Sequence, residues 1–140
     1  MFTNGRVMKY LLIIIALFTS GLSNAQVHKY RMFQTKFHSM DNPNPPWNNV
    51  DILVVVNYDK MTMQIYSDKE QSFDLIRITK DEDKEDTRDI SYEAVDQNGQ
   101  KLEVMFSVFK KPDLDWPLSL VIDYGYQVGF LFAKLRFENP

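Results

Sequence analysis

The residues that could do chemistry are few, and most fail on spacing. Six carboxylates, Asp81, Glu82, Asp83, Glu85, Asp86 and Asp89, crowd one short stretch, and clustered oxygen ligands are what a hard cation such as calcium requires. With Asp81, Asp83 and Glu85 as the first, third and fifth positions of a calcium loop, the sixth is Asp86 rather than glycine and the twelfth is Tyr92 rather than glutamate. Lys80, Lys84 and Arg88 neutralise the run from within. A solvated charged connection is expected there, with no metal. The two histidines, His28 and His38, fit neither an H-x-x-x-H nor an H-E-x-x-H pattern. On one straight strand they would share a face roughly 30 Å apart. That excludes joint ligation or a shared catalytic role, and surface or strand-edge positions are expected for both.

Nucleophilic catalysis has no better footing. The chain has no cysteine, no G-x-S-x-G elbow and no serine set beside a histidine. Its five glycines are scattered, so no loop can cradle a phosphate. Asp74, Glu103 and Asp123 could face one another across strands at the separations glycoside hydrolysis uses, but so could any acids on facing strands. No catalytic residue and no cofactor is expected, and the chain reads as a non-enzyme. Trp47 and Trp116 are more informative, each held beside proline in Pro45-Pro46-Trp47 and Trp116-Pro117. An aromatic ring on a stiff loop can stack on a sugar or anchor a protein partner. The competing expectation is that both rings plug the open ends of the fold, because a small core recruits every large apolar side chain it has.

The first 25 residues carry a different message. Arg6 and Lys9 form a positive start, Tyr10 to Phe18 (YLLIIIALF) is unbroken and apolar, and Thr19 to Ala25 (TSGLSNA) is small and polar. This is the pattern of a secretory signal peptide, with Ser23 and Ala25 sized for signal peptidase and Gln26 as the mature N-terminus. The apolar run stops at Thr19, short of the roughly 20 residues a bilayer span needs. A lipid anchor would need a cysteine at the cut, and there is none. The expected localisation is therefore secreted or periplasmic, with no membrane span after cleavage.

The mature segment, residues 26–140, is long enough for one domain with one modest core. At 44% hydrophobic and 14% aromatic the chain should fold. Without Arg6 and Lys9, 14 basic residues face 19 acidic ones, which argues against nucleic acid or anionic lipid as a partner. Stability must come from packing and a hydrogen-bonded sheet, since no disulfide is possible.

The sequence predicts strands throughout, with no sustained helical period. Val27 to Met40 changes parity between Met32 and Phe33, which predicts a bulge. Asp41 to Asn49, with three prolines, is a loop. Val50 to Tyr58 is so apolar that covering on both faces is expected. Met61 to Ser67 alternates, Gln71 to Lys80 places Phe73 and Leu75 inward with an irregularity beyond them, and Asp81 to Asp89 is a polar connection. Ile90, Tyr92 and Ala94, then Asn98-Gly99, then Leu102, Val104, Phe106 and Val108 spell a hairpin around a type I′ turn. Leu118 to Tyr124 alternates, and Gly125 turns the chain into a last strand near Gln127 to Phe137. About eight strands on short connections predict an all-β antiparallel meander, closed into a small barrel or folded into a two-layer sandwich. Closure removes the free edges that invite aggregation. An eight-stranded interior is either filled by side chains or holds one small ligand. Phe73, Tyr92, Phe106, Phe130 and Phe132 favour filling.

The wording of Asp51 to Asp68 (DILVVVNYDKMTMQIYSD), with the Tyr92 to Gly99 hairpin (YEAVDQNG), resembles small signal-bearing bacterial β-proteins of uncharacterised function. That resemblance implies no activity, cofactor or catalytic residue. In architecture alone the chain is similar to lipocalin-like barrels, and departs from them in lacking a glycine-x-tryptophan start motif and any disulfide. The expected function is an exported, non-enzymatic binding or interaction module whose partner is a protein or envelope component, contacted through Trp47 and Trp116. The alternative is a lipocalin-like carrier of a small apolar ligand, its cavity lined by Met63, Phe73, Tyr92 and Phe106.

Overall fold

In the computed structural model of the chain, residues 26–111 and 115–138 are described; the expected signal peptide, 1–25, lies outside them. Eight antiparallel strands run in sequence order: β1 (Val27–His38), β2 (Asn48–Asn57), β3 (Thr62–Tyr66), β4 (Gln71–Asp83), β5 (Thr87–Asp96), β6 (Lys101–Phe109), β7 (Leu118–Asp123) and β8 (Phe130–Phe137). Each pairs with its neighbour in the chain, and β8 returns to β1, so the meander closes into a barrel. Of the two expected architectures the barrel is the one formed. No helix among the described residues is long and apolar enough to cross a membrane.

Two-residue alternation builds the interior. Val54 and Val56, Met63 and Ile65, Phe73 and Leu75, Tyr92 and Ala94, Val104 and Phe106, Leu120 and Ile122, Ala133 and Leu135 all point inward and are buried. Each strand needs only one apolar face, because the other meets solvent or a loop. Rings pack against rings at the centre: Tyr92 meets Phe106 edge-on at 6.4 Å, and Tyr30 lies 6.3 Å from Phe106. The Tyr30 and Tyr58 hydroxyls are 3.3 Å apart, and burial pushes both phenols above their ordinary range.

The expected bulge is present, with Phe33 as the extra residue between the Met32 and Gln34 registers of β1. It shifts parity along β1: Tyr30 and Met32 face inward, whereas Lys36 and His38 pair with the outward Phe132 and Phe130 of β8. His28 and His38 therefore do not share a face as a straight strand would require. The irregularity of β4 is also present, as register shifts at Leu75/Arg77 and Ile78/Lys80.

Four expectations are corrected. β2 is covered on its inner face only; Leu53 and Val55 on the outer face are half-buried and Asp51 is exposed, because a closed barrel has no second layer over it. The acidic stretch is mostly strand, with β4 running to Asp83 and β5 starting at Thr87, since Arg88 and Lys110 draw its carboxylates into pairing. The Asn98-Gly99 turn is not type I′: Gly99 is left-handed (φ 78°) but Asn98 is not. The Asp96 carboxylate accepts from the Asn98 and Gln100 amides, both at 2.9 Å, stabilising a longer turn that ends in the glycine. Phe130 and Phe132 do not fill the interior; both lie outside, and Leu131, Ala133 and Leu135 take the inner positions.

Candidate functional site

The β1–β2, β3–β4, β5–β6 and β7–β8 connections form one rim of the barrel, the first rim; the other three connections form the second. The side chains named from the sequence distribute over the wall and interior, and an open cleft lies at the first rim.

Trp47 precedes β2 and Trp116 precedes β7, yet the two rings meet at 6.1 Å on the outer wall. Closure of β8 onto β1 brings them together, because Phe132, opposite Lys36, lies 5.3 Å from Trp47 and 6.0 Å from Trp116. Phe109 completes the cluster, 5.2 Å from Trp116. Lysines cover it: the Lys36 and Lys134 ammonium groups lie 4.4 and 4.3 Å from the Trp47 ring centre, and Lys134 is also 4.6 Å from Trp116. Both indoles are half-buried, and the Trp116 Nε1 is enclosed without a hydrogen-bond partner. They neither plug the barrel ends nor project from loops. Ser119, on the outer face of β7, is buried in the same wall.

Met63, Phe73, Tyr92 and Phe106, the expected cavity lining, all belong to the buried core. In the acidic hairpin four of the six carboxylates are engaged by cations: Asp81 by Arg88 at 3.0 Å, Asp83 by Lys110, Asp89 by Lys84 at 2.9 Å and Glu82 by Lys80 and Lys84. Arg88 holds the Asp81 carboxyl below the usual carboxylate range. Burial opposes ionisation of Asp89, but hydrogen bonds from Lys84 and Ser107 outweigh it and lower its pKa. Among the described residues no group of three or more histidines, cysteines or acids is gathered to hold a metal. Glu103 and Asp123 do come together, directly opposite across β6 and β7, whereas Asp74 sits apart opposite Thr62 and Val95.

At the first rim, an open cleft of about 510 Å³ is lined by His38, Met40, Pro43, Asp123, Tyr126 and Phe130, among others. Its floor is rigid. The His38 ring stacks on Phe130 with centroids 4.5 Å apart and donates from Nδ1 to the Pro43 carbonyl at 2.8 Å, which fixes the tautomer. Gly129 (φ 125°) passes so close to the His38 carbonyl that a Cβ there would lie 2.1 Å from its oxygen, so only glycine lets the β7–β8 loop seat against β1. Asp123 accepts from the Gly125 amide at 2.9 Å and starts that loop. The same loop lifts Tyr126 into solvent at 84% exposure, opposite Met40 at 70%. A second opening of about 400 Å³, lined by Phe37, Tyr124 and Val128 among others, lies on the other side of the loop. Sequence reasoning missed Met40, Tyr126 and Phe130 as surface groups. The available signal was the spacing Gly125-Tyr-Gln-Val-Gly129, a turn too short to fold its own side chains back under cover. No protein-family model, curated protein or solved structure matches the chain.

Proposed function

We propose that the chain is an exported, non-enzymatic binding module that engages a protein partner of the cell envelope or exterior through the first rim of its barrel. The observation that carries this reading is the concentration there of exposed large apolar side chains, Met40, Tyr126 and Phe130 around the open cleft and Phe37 and Val128 on the other side of the β7–β8 loop. Contiguous exposed apolar surface on a small domain marks a contact site more often than a defect. Export rests on the leader pattern of residues 1–25.

The test is positional. A photo-crosslinking residue placed at Tyr126 or Met40, and as a control at the exposed Ile78 of β4, is activated in cells exporting the protein. Defined adducts at the two rim positions and none at Ile78 are the expected result. Equal adducts at all three, or adducts at Ile78 alone, would remove the rim as the contact face. The mass of the recovered protein should correspond to a chain starting at Gln26.

A further inference from the structure

None of the eight ion pairs among the described residues includes a residue of the first rim. The rim is nevertheless rich in acids. Asp123 lines the cleft and faces Glu103 across the strand pair, and Asp41 sits in the loop that supplies Met40 and Pro43. Asp96 lines the neighbouring opening, and no lysine or arginine lines either one. Arg77 and Lys101 line a separate opening together with Glu93 and Glu103, and Arg77 is bonded to Glu93 at 2.6 Å.

Two carboxylates directly opposite in a sheet repel each other, and a cation between them removes that cost. The same cleft offers aromatic faces, the exposed Tyr126 and the Phe130 ring stacked on His38. One biological cation answers both features. A guanidinium is planar, pairs with carboxylates through parallel hydrogen bonds and stacks on aromatic rings. An ammonium matches the charge but not the shape.

We propose that the cleft docks an arginine-bearing basic segment of the partner protein, the guanidinium against Asp123 and Tyr126 and the flanking apolar side chains over Met40 and Phe130. This rests on the first rim being the binding face, and charge complementarity selects the occupant: in the cleft an acidic segment would meet Asp123, with Asp41 in the adjoining loop, and no lysine or arginine.

Fluorescence anisotropy with the exported chain and three labelled peptides, alternating leucine with arginine, glutamine or glutamate, tests it. The arginine peptide should bind about tenfold tighter than the glutamine one, as expected for a close interfacial charge pair, and the glutamate peptide weakest. Added salt should shrink the preference. A lysine peptide should fall between arginine and glutamine. Asp123→Asn with Glu103→Gln should abolish the preference; the asparagine keeps an oxygen for the Gly125 amide, so the turn survives. Equal binding of all three peptides, lost in Tyr126→Ala, overturns the basic partner and leaves the rim standing as a contact face. Arginine-peptide binding untouched by Tyr126→Ala overturns both. Dimerisation of the protein alone that Tyr126→Ala abolishes would place a second copy in the cleft and overturn the proposal.

Discussion

Two groups of aromatic side chains sit outside this barrel, and the molecule uses them in opposite ways. On the wall, Trp47, Trp116, Phe109 and Phe132 turn their rings to one another and accept two lysines as a cover. At the first rim, Tyr126 is left in solvent beside Met40. Both groups sit on or beside proline- or glycine-marked loops, so loop position does not decide the role. What decides it is whether the loop lies along the sheet or leaves it. The chain before β2 and β7 lies on strands already bearing Phe132 and Phe109, whereas the β7–β8 loop is held upright by Gly129 against the end of β1. The wall extends the core outward, and the rim spends apolar surface where it stabilises nothing.

Truncation should expose this contrast most strongly. Trp116→Ala removes a half-buried indole that touches Trp47, Phe109 and Phe132, and should cost about 2–3 kcal/mol, below the range for fully buried aromatics. Tyr126→Ala removes a comparable ring and should stay within about 0.5 kcal/mol, as exposed substitutions do. Urea unfolding followed by far-UV circular dichroism measures both. Trp116→Phe should lose much less than the alanine variant, because it keeps a ring and discards the enclosed, unpartnered Nε1 hydrogen. Equal losses at positions 116 and 126 would erase the distinction between wall and rim.

A carboxylate pair sharpens the comparison at smaller amplitude. Asp89 is buried under Lys84 and Ser107, and Asp89→Asn should cost roughly 1–2 kcal/mol at neutral pH through lost charge-assisted hydrogen bonds. Asp123→Asn should instead raise stability slightly, by about 0.2–0.5 kcal/mol, since its turn bond is kept and its repulsion with Glu103 is removed. The Asp89 effect also carries a pH dependence. The folded Asp89 carboxyl titrates below its unfolded value, so its contribution is complete above about pH 4 and fades as pH falls through the lowered folded pKa. The gap between wild type and Asp89→Asn should therefore close in acid. Denaturant midpoints taken from pH 7 down to pH 2.5 would show it.

The barrel was legible because its inner face is written in strict alternation, as in Tyr92 and Ala94 against Leu102, Val104 and Phe106, and because Gly99 and Gly125 mark turns. The wall was half legible. Trp47 and Trp116 could be picked out as special by their prolines, but their meeting depends on the β8–β1 closure and on the Phe33 bulge that turns Lys36 outward, neither of which leaves a local pattern around the tryptophans. Phe130 and Phe132 misled for a related reason: β8 carries large apolar residues on both parities, so hydrophobicity alone does not say which set faces in. The rim was least legible, because the cleft is assembled from the ends of β1, β7 and β8 and no segment contains it.

The smallest expected effect concerns the cover of the wall. Lys36 and Lys134 crowd the same indole, and Lys134 donates to Gln34 at 3.0 Å while neither lysine reaches a carboxylate. If the wall is structural, what matters is mainly the aliphatic stem lying on the rings, with the ammonium adding about 0.5–1 kcal/mol at a partly exposed site. Lys134→Met keeps the stem and removes both the charge and its repulsion with Lys36, so the loss should lie at or below the lower end of that range. Removing the second charge as well, in Lys36→Met with Lys134→Met, should then cost more than the first removal, because no repulsion is left to relieve. Neither variant should alter peptide binding at the rim, since no lysine lines that cleft. A change in peptide affinity without a change in unfolding midpoint would mean that the lysine-covered tryptophans face a ligand, and the division between a structural wall and a binding rim would have to be reversed.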